Sequence, residues 1–266
     1  MILRISFFLI FFLFIKSSYA LNLPKEVLQG SLIIGQEPSI DQIMVDNVKI
    51  KLSEEGYYVF PVGRDHINPI QVMTFLNNKI IQIHEINIIK QEYDIQRIDG
   101  LPEEMVTPLD DEIIQRIITE NKTIKEKKLI DSDYIFFTQE FVIPTEGIIS
   151  GLFGSQRILN DKPKSPHKGI DIAANEGTPV LATNDGIIIL AEKDFYYTGG
   201  TIILDHGHGV KSIYAHLSEV IVKSNDRVLK NESIGAVGST GRSTGPHLHW
   251  GVMVFDVYVD PKLLIN

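Results

Sequence analysis

The sequence predicts a mainly β protein: a small N-terminal β-sandwich-like module, a linking helix and a C-terminal antiparallel β domain. Up to about residue 90, short β-branched and apolar runs alternate with turn residues. Apolar residues then recur at helical spacing between Leu109 and Ile124. From about Phe136 onward, glycine becomes frequent and β-branched runs return. The predicted boundaries of a signal peptide, the β module, the helix with its connector, and the β domain are residues 1–20, 21–105, 106–135 and 136–266.

Composition excludes several classes of protein. The 266 residues are 44% hydrophobic and 22% charged, as in ordinary globular proteins. A formal net charge of -9 argues against a basic surface for nucleic acid and gives no electrostatic reason for adhesion to anionic lipid. The chain has no cysteine, which excludes disulfides, thiol nucleophiles and cysteine-ligated zinc. Any metal must therefore be held by His, Asp or Glu.

The first residues have the pattern of an export signal. Arg4 precedes an apolar run from Ile5 to Ile15, and Ser18 and Ala20 put small residues at the spacing a signal peptidase requires. The run is shorter than the roughly 20 residues that span a bilayer, which disfavours a membrane anchor. We expect a removable secretory signal and no stable membrane span after cleavage.

The N-terminal module is predicted from strands separated by turns. Its strands are expected at 31–35, 47–52, 56–63, 69–76 and 79–89. Intervals of 8–12 residues between turns favour a small β-sandwich. His66 and His84 are isolated in this region, so we interpret them as surface or turn residues. No catalytic group of residues is apparent here.

One helix is predicted to follow. Thr107 is expected to cap it, Pro108 suits its first position, and acidic residues 110–112 lie near its positive end. One face is apolar and consists of Leu109, Ile113, Ile114, Ile117, Ile118 and Ile124. We expect this helix to brace the two domains. Docking of a partner protein is the alternative.

The C-terminal domain contains all the chemistry that the sequence reveals. Its strands are expected at 178–183, 186–191, 200–205, 210–217 and 233–237. Three segments are rich in potential metal ligands: His167-Lys-Gly-Ile-Asp171, Tyr214-Ala-His216-Leu217 and Pro246-His247-Leu-His249-Trp250.

Strand geometry predicts that these polar groups face one side of a sheet. Side chains at even separations share a face, so His247 and His249 project together while Leu248 packs behind them. His167 and Asp171 share a face if their segment is extended, and His216 is expected on the same face as Tyr214 and Ser212. Three ligands from such a set leave a zinc position open for water, as in catalytic sites. Four histidines and one aspartate leave two histidines over for proton transfer. Each segment alone is weak evidence, and only their conjunction carries weight.

These segments resemble the lysostaphin-like M23 metallopeptidases, or LytM-type endopeptidases, which cleave peptidoglycan peptides. The resemblance spans about residues 147–261. The matching stretches are the His167–Asp171 and Tyr214–Leu217 segments above, Gly177-Thr-Pro-Val180, Asp205-His-Gly-His-Gly209 and Gly238-Ser-Thr-Gly-Arg-Ser-Thr-Gly-Pro-His-Leu-His-Trp250. The resemblance implies a LytM/M23-type catalytic domain with one Zn²⁺ per chain.

The resemblance also implies roles for individual residues. His167, Asp171 and His249 would hold the zinc, and His216 and His247 would be the catalytic histidines. One of these two would be the general base and the other would stabilise the oxyanion or assist proton transfer, and the sequence does not separate the two roles. His206 and His208 are expected in shape or surface roles instead.

Four further residues are candidates for substrate binding. Arg157 and Asn160 precede His167 and are expected to line the cleft, or alternatively to fix a loop. Tyr196 and Tyr197 come before a glycine pair and are expected to form a groove wall, or alternatively to pack.

Three other classes of protein compete with the hydrolase. The first is a non-hydrolytic LytM-like activator or wall-binding module, which usually lacks ligands that this sequence retains. The second is a biotinyl or lipoyl carrier, which needs a lysine at a hairpin tip, and neither Asn184-Asp185-Gly186 nor Ser239-Thr240-Gly241 provides one. The third is an adhesin-like β protein, which has no use for such a ligand set.

The expected function is therefore hydrolysis of peptide cross-links in peptidoglycan. An export signal without a wall-anchoring tail predicts the periplasm, where the resemblance implies D-alanyl to diaminopimelate cross-links as substrate. The N-terminal module is expected to restrain the enzyme, position it on its substrate or bind a regulatory protein.

Overall fold

The structure is a computed structural model that describes residues 23–265. The predicted signal peptide lies outside these residues. Within the described part, no helix is both long and apolar enough to cross a membrane.

The chain is mainly β, as predicted. Its strands are β1 Glu26–Leu28, β2 Leu32–Gln36, β3 Gln42–Val45, β4 Val48–Ile50, β5 Tyr57–Pro61, β6 Ile70–Leu76, β7 Lys79–Ile89, β8 Ile95–Ile98, β9 Ile148–Gly151, β10 Gln156–Leu159, β11 Lys162–Pro163, β12 Ile170–Ala173, β13 Pro179–Leu181, β14 Gly186–Phe195, β15 Gly199–Gly207, β16 Val210–Val220, β17 Arg227–Val228, β18 Ser233–Val237, β19 His247–Val254 and β20 Val257–Val259. Its helices are α1 Glu103–Val106 and α2 Asp111–Lys128, with 3₁₀ turns at Phe136–Thr138 and Pro261–Leu263.

The N-terminal module is sandwich-like, because two sheets share one core. One sheet has the order β1-β7-β6-β3-β4, and the other pairs β2 with β5. Ile33 and Phe60 of the small sheet pack with Ile43, Val72 and Ile86 of the large one. Inward apolar residues alternate with outward ones along β6, which is the pattern of a half-buried strand.

Strand β8 leaves this module and joins the C-terminal part of the chain. It pairs in parallel with β10, with Ile95 opposite Gln156 and Ile98 opposite Leu159. The chain then turns into the short helix α1, where buried Leu101 and Val106 pack on Leu159. Residues 95–106 thus lie against the C-terminal domain.

The predicted helix exists, but its predicted start was wrong. Asp110 caps α2, since its side chain accepts hydrogen bonds from the backbone N–H groups of Glu112 and Ile113. Thr107 instead ends α1, and its N–H donates to the Glu103 carbonyl. The extra turn arises because residues 103–106 pack Val106 into the small core beside β10.

Helix α2 lies against the C-terminal domain on one side only. Arg116 donates to the Asp194 carbonyl, and Ile124 packs on an apolar cluster of that domain. No residue of α2 is fully buried, and Ile118 of the predicted apolar face is 53% exposed.

The C-terminal domain is built on a ten-stranded sheet whose pairs are all antiparallel. At its centre β19 lies between β16 and β12. Tyr214, Trp250 and Ile170 lie side by side across these three strands and are fully buried in the main core. Ala215, His249 and Asp171 form the next row, which faces the opposite side because successive side chains alternate. The main hydrophobic core therefore lies on one face of the sheet, and the polar row lies on the other.

Candidate active site

The five side chains predicted to form the site lie together on this second face. Asp171 lies on β12, His247 and His249 lie on β19, His216 lies on β16, and His167 lies in the loop before β12. The rings of His216 and His247 are 4.6 Å apart, and those of His167 and His249 are 4.9 Å apart. Segments that are as many as 82 residues apart in sequence thus meet at one cleft.

Three potential ligand atoms converge at the bottom of the cleft. His167 Nε2 lies 3.0 Å from His249 Nδ1 and 3.0 Å from Asp171 Oδ1, and His249 Nδ1 lies 2.9 Å from Asp171 Oδ1. The three residues form a group able to hold a metal ion. Asp171 and His249 are opposite each other in the sheet register, so the sheet itself brings these two ligands together.

His167 is oriented by the loop that precedes β10. Its Nδ1–H donates to the Leu152 carbonyl at 3.0 Å, which leaves the Nε2 lone pair directed at the other two ligand atoms. Its backbone N–H donates to Ser155, and its carbonyl accepts from Gly154. Burial lowers the pKa of His167 to about 4, so the ring is neutral at pH 7.

Asp171 is ionised although it is mostly buried. Burial by itself would raise the pKa of this carboxyl, but the close imidazoles of His167 and His249 outweigh it and hold the pKa well below its usual range. Its second oxygen, Oδ2, accepts a hydrogen bond from Arg157 at 2.5 Å. A side chain at Gly151 would place its Cβ 2.6 Å from Oδ2, so this position is confined to glycine.

The three converging atoms have too few hydrogens to satisfy one another. His167 Nε2 carries none and Asp171 is ionised, so at most the hydrogen of His249 Nδ1 is available among them. His167 Nε2 and Asp171 Oδ1 therefore face each other at 3.0 Å with a lone pair on each side. Buried acceptors without a donor are costly, and a cation between them removes the cost.

His216 reaches the site through a β-bulge, and its predicted position beside Tyr214 and Ser212 was wrong. Strict alternation would place His216 on the core face with these two residues. The register of β15 and β16 shifts between the pairs Ile202–Tyr214 and Gly200–Leu217, and His216 adopts a φ of 65°. The bulge turns its ring to the polar face, where it lines the same cleft as Ala215 and His249.

Both predicted catalytic histidines are held through Nδ1. His216 Nδ1–H donates to the Thr240 carbonyl at 2.9 Å, and His247 Nδ1–H donates to the Gly245 carbonyl at 2.8 Å. In the neutral rings, each Nε2 is then free to accept a proton. Burial lowers the pKa of His216 to about 3, and the neighbouring His247 and His249 act in the same direction. His247 Nε2 lies 3.9 Å from Asp171 Oδ1, which places it at the edge of the ligand triangle.

The four residues predicted to bind substrate have different surroundings. Arg157 lines the cavity beside His216 and His247, but its guanidinium is engaged by Asp171 and by Gln96. Asn160 exchanges hydrogen bonds with the backbone of Leu101, so it fixes a neighbouring segment. The Tyr196 hydroxyl donates to the Glu104 carbonyl at 3.0 Å, while Tyr197 lies beside His216 in the cleft.

Comparison with known proteins finds a family match for the C-terminal part of the chain. Residues 165–261 match the model of peptidase family M23. The chain carries an M23 peptidase domain. The match begins two residues before His167 and includes the other four residues of the cluster, whereas Arg157 and Asn160 precede it.

Relatives of the M23 domain differ in how much of this chain they share. A protein described as an uncharacterized metalloprotease of Buchnera aphidicola subsp. Baizongia pistaciae is 30% identical over 91% of this chain and 65% of its own length. The peptidoglycan DD-endopeptidase ShyA of Vibrio cholerae is 35% identical over 44% of this chain and 27% of its own. The DD-carboxypeptidase/endopeptidase Mpg of Neisseria meningitidis is 45% identical over 36% of this chain and 22% of its own. The chain thus spans less than two thirds of each of these relatives.

The fold of nearly the whole chain also has a solved counterpart. A crystal structure from Pseudomonas aeruginosa, assigned to peptidase M23, superposes with a TM-score of 0.66 at 24% identity. It covers 89% of this chain, and this chain covers 94% of it. The arrangement of the N-terminal module with the M23 domain therefore occurs in another protein.

The sequence patterns missed several residues around the M23 site. Gln96, Ile98 and Leu101 line the cavity together with His216 and His247, although they come from the segment before α1. Arg242, from the loop before β19, lines it as well. The arginine stands within the glycine-rich stretch that predicted the site, so its proximity to His247 was an available signal. The residues at 96–101 carried no such signal, because only tertiary pairing with β10 brings them there.

Proposed function

We propose that this protein is a zinc endopeptidase that hydrolyses peptide cross-links of bacterial peptidoglycan, with D-alanyl to diaminopimelate bonds as its substrate. The observation that carries the proposal is the group of three converging acceptors flanked by two histidines whose Nε2 atoms are free. A structural metal site would have no use for the two additional imidazoles.

The three ligand atoms suit Zn²⁺ in chemistry and in spacing. Imidazole nitrogens and a carboxylate oxygen bind zinc with bonds of about 2.0–2.2 Å, which places tetrahedral neighbours roughly 3.3–3.5 Å apart. The triangle formed by His167 Nε2, Asp171 Oδ1 and His249 Nδ1 has sides of 2.9–3.0 Å. A small widening of this triangle accommodates the ion. Arg157 holds the second carboxylate oxygen, so Asp171 would bind through Oδ1 alone.

The remaining residues would perform the proton transfers. Zinc bound at this site would supply an acidified water and polarise the scissile carbonyl. The Nδ1 atoms of His216 and His247 are fixed by backbone carbonyls, so in its neutral form each ring accepts a proton at Nε2. One ring would take the proton of the attacking water at Nε2 and, once protonated, pass it to the leaving amine, and the other would stabilise the developing oxyanion with a proton carried on its own Nε2.

The relatives support the choice of substrate. ShyA is named a peptidoglycan DD-endopeptidase, and Mpg a DD-carboxypeptidase/endopeptidase. A non-hydrolytic activator is disfavoured because all five positions of the cluster are occupied by suitable side chains. We further propose export to the periplasm, which rests on the apolar run from Ile5 to Ile15 and the small residues at Ser18 and Ala20.

We also propose that the segment Leu101–Thr107, here called the strap, restrains the enzyme. It is fastened to one wall of the cleft by hydrogen bonds from Asn160 to the Leu101 carbonyl and from Lys164 to the Val106 carbonyl. Lys162 adds contacts to Glu103 and Thr107 on the same side. The opposite wall holds the strap through Tyr196, which donates to Glu104, and Arg242, which donates to Met105.

This arrangement favours restraint over simple bracing. The strap joins both walls, and its first residue lines the cavity that contains His216 and His247. A cross-linked peptide that enters this cavity would have to displace it. Its polar contacts are exposed or only partly buried and are therefore individually weak, so its release is feasible. A regulatory protein bound to the N-terminal module would be one means of release.

The proposed function is tested on defined substrates. The zinc-loaded protein is incubated with purified cross-linked muropeptide dimers, and the products are weighed by mass spectrometry. We expect two monomers whose masses sum to that of the dimer plus one water, with a new D-alanine carboxyl terminus on one of them. Intact dimers after incubation, or the same products from the His167→Ala variant, would contradict the proposal.

A further inference from the structure

Arg242 is a partly buried cation at the mouth of the proposed active site. It lies in the loop that leads into β19 and lines the cavity of about 370 Å³ that also contains His216 and His247. Its guanidinium stacks on the ring of Tyr197, with Cζ 4.4 Å from the ring centroid. Stacking fixes the plane of the guanidinium and leaves its N–H edge directed to other partners.

Within residues 23–265, Arg242 has no carboxylate partner. Most arginines of this region form an ion pair: Arg64 with Asp65, Arg97 with Asp161, Arg116 with Glu120 and Asp194, and Arg157 with Asp171. Arg227 also has none, but it is exposed and water can solvate its charge. Arg242 therefore combines a shielded position with an unmatched charge, which is unfavourable unless an anion binds there.

The cavity as a whole carries excess positive charge. Its charged lining residues are Arg157, Arg242 and Asp171. The ion pair between Arg157 and Asp171 neutralises two of them, so the charge of Arg242 remains. A divalent cation held by the proposed ligands would add to this charge. The cavity is thus electrostatically suited to an anionic peptide.

The protein atom now in contact with Arg242 is a weak substitute for an anion. Arg242 Nη1 donates to the Met105 carbonyl of the strap at 3.2 Å. The Met105 carbonyl accepts one bond and carries no charge, whereas a carboxylate accepts two parallel bonds from a guanidinium and compensates its charge. A carboxylate entering the cavity would bind the guanidinium more strongly than Met105 does.

We infer that Arg242 is a specificity residue that binds a free carboxylate of the substrate peptide close to the scissile bond. The inference rests on the proposed function and names the substrate class more closely, as peptides that carry a carboxylate near the bond to be cut. Arg157 does not serve this purpose, because its guanidinium already holds Asp171.

The experiment compares a synthetic cross-linked peptide in two forms, one with free carboxylates and one with every carboxyl amidated. The kcat/KM of the zinc-loaded wild type is expected to be about 10- to 100-fold higher for the acidic form, as for a charge-assisted hydrogen bond. Arg242→Gln should lose most of this preference, measured as the ratio of the two kcat/KM values, because loss of the Met105 contact changes the rates on both forms alike and leaves the ratio unaffected. Arg227→Gln removes the same charge far from the cavity and should keep the preference.

The outcomes separate this inference from the proposed function. Wild type that cleaves neither form contradicts the proposed function itself. Wild type that cleaves both forms equally, or an Arg242→Gln variant that keeps the preference, overturns the role of Arg242 alone. An equal loss on both forms in Arg242→Gln would show that the arginine only supports the loop, and would also overturn it.

Discussion

Two groups of polar side chains each contain a buried histidine, His206 in the core and His167 in the cleft, and the two groups differ in how the lone pairs of these rings are used. In the core, His206 Nδ1–H donates to the Asp185 carbonyl at 2.7 Å, and His206 Nε2 lies 2.8 Å from Ser212 Oγ. Ser212 in turn contacts the Tyr214 hydroxyl, which accepts from the Thr183 N–H. In the cleft, His167 Nε2 and Asp171 Oδ1 face each other without a hydrogen between them.

The comparison shows that burial alone does not identify a functional histidine. Burial lowers the pKa of both His167 and His206 to about 4. The two rings differ in their neighbours: the core ring belongs to a closed chain of hydrogen bonds, whereas the cleft ring points at two other acceptors. An unmatched group of acceptors is what indicates a site for a cation.

Replacing His167 with alanine should have the largest effect. The variant should lose bound zinc, expected at about one ion per chain in the wild type, and should lose hydrolysis of purified cell wall. Metal content measured by plasma mass spectrometry checks the first expectation. His206→Gln is the matched variant from the other group and should keep the metal. Equal metal loss in both variants would break the distinction between the two groups.

Replacing His216 with alanine should have the next largest effect and should separate ligands from proton carriers. The ring lies beside the ligand triangle and is not part of it, so the variant should keep zinc. Its rate should fall on the order of 10²–10⁴-fold, because a positioned proton acceptor is lost. Metal content and single-turnover rates check this together. Loss of zinc in this variant would mean that His216 is itself a ligand.

Most of the C-terminal sheet was predictable, because its strands repeat a regular pattern. Leu248 was expected behind His247 and His249, and it is fully buried there, as simple alternation requires. His216 was placed on the wrong face because a bulge breaks that alternation. A bulge depends on hydrogen bonds such as that from the His216 N–H to Thr198, which a local pattern does not contain.

The walls of the cleft were less predictable than its floor. Neither β8 nor α1 was anticipated, and both owe their conformation to pairing or packing with β10, about 60 residues away. His206 and His208 were expected in shape or surface roles, yet both are buried. Phe137 packs against the ring of His208 and Phe141 against that of His206, and these contacts between distant parts of the chain leave no local sequence pattern.

The pH dependence of unfolding should report how well the core shields His206 from protonation. The pKa of His206 falls from 6.5 to about 4 on folding because the ring is buried. Between pH 4 and 6.5, the unfolded chain therefore binds a proton on this ring that the folded protein does not accept. Stability from this group is complete above pH 6.5 and is lost as the pH falls towards 4, by up to about 1.4 kcal/mol per pH unit.

Denaturant unfolding between pH 4 and 7 measures this contribution. His167 and His216 also contribute in this range, so the informative quantity is the difference in slope between wild type and His206→Gln. We expect a shallower slope in His206→Gln, with a loss of about 1–3 kcal/mol at pH 7 from the altered hydrogen bonds. His84→Gln, at a half-buried position on β7, controls for removal of an imidazole. An unchanged slope in His206→Gln would mean that the core ring is not shielded from protonation.

The smallest expected effect concerns access to the cleft. The cleft histidines must be reached by substrate, whereas the core group around His206 is closed. Tyr196→Phe removes the hydroxyl that holds the strap through Glu104 and leaves the aromatic ring in place. Loss of one such bond weakens the strap by roughly 1 kcal/mol, so hydrolysis of cross-linked peptide should rise about two- to tenfold. Tyr134→Phe, away from the strap, is the matched control. A fall in rate would instead assign the Tyr196 hydroxyl to substrate binding, and an unchanged rate would show that opening of the strap does not limit turnover. The sign of the change therefore decides whether this wall of the cleft restrains the enzyme or recognises its substrate.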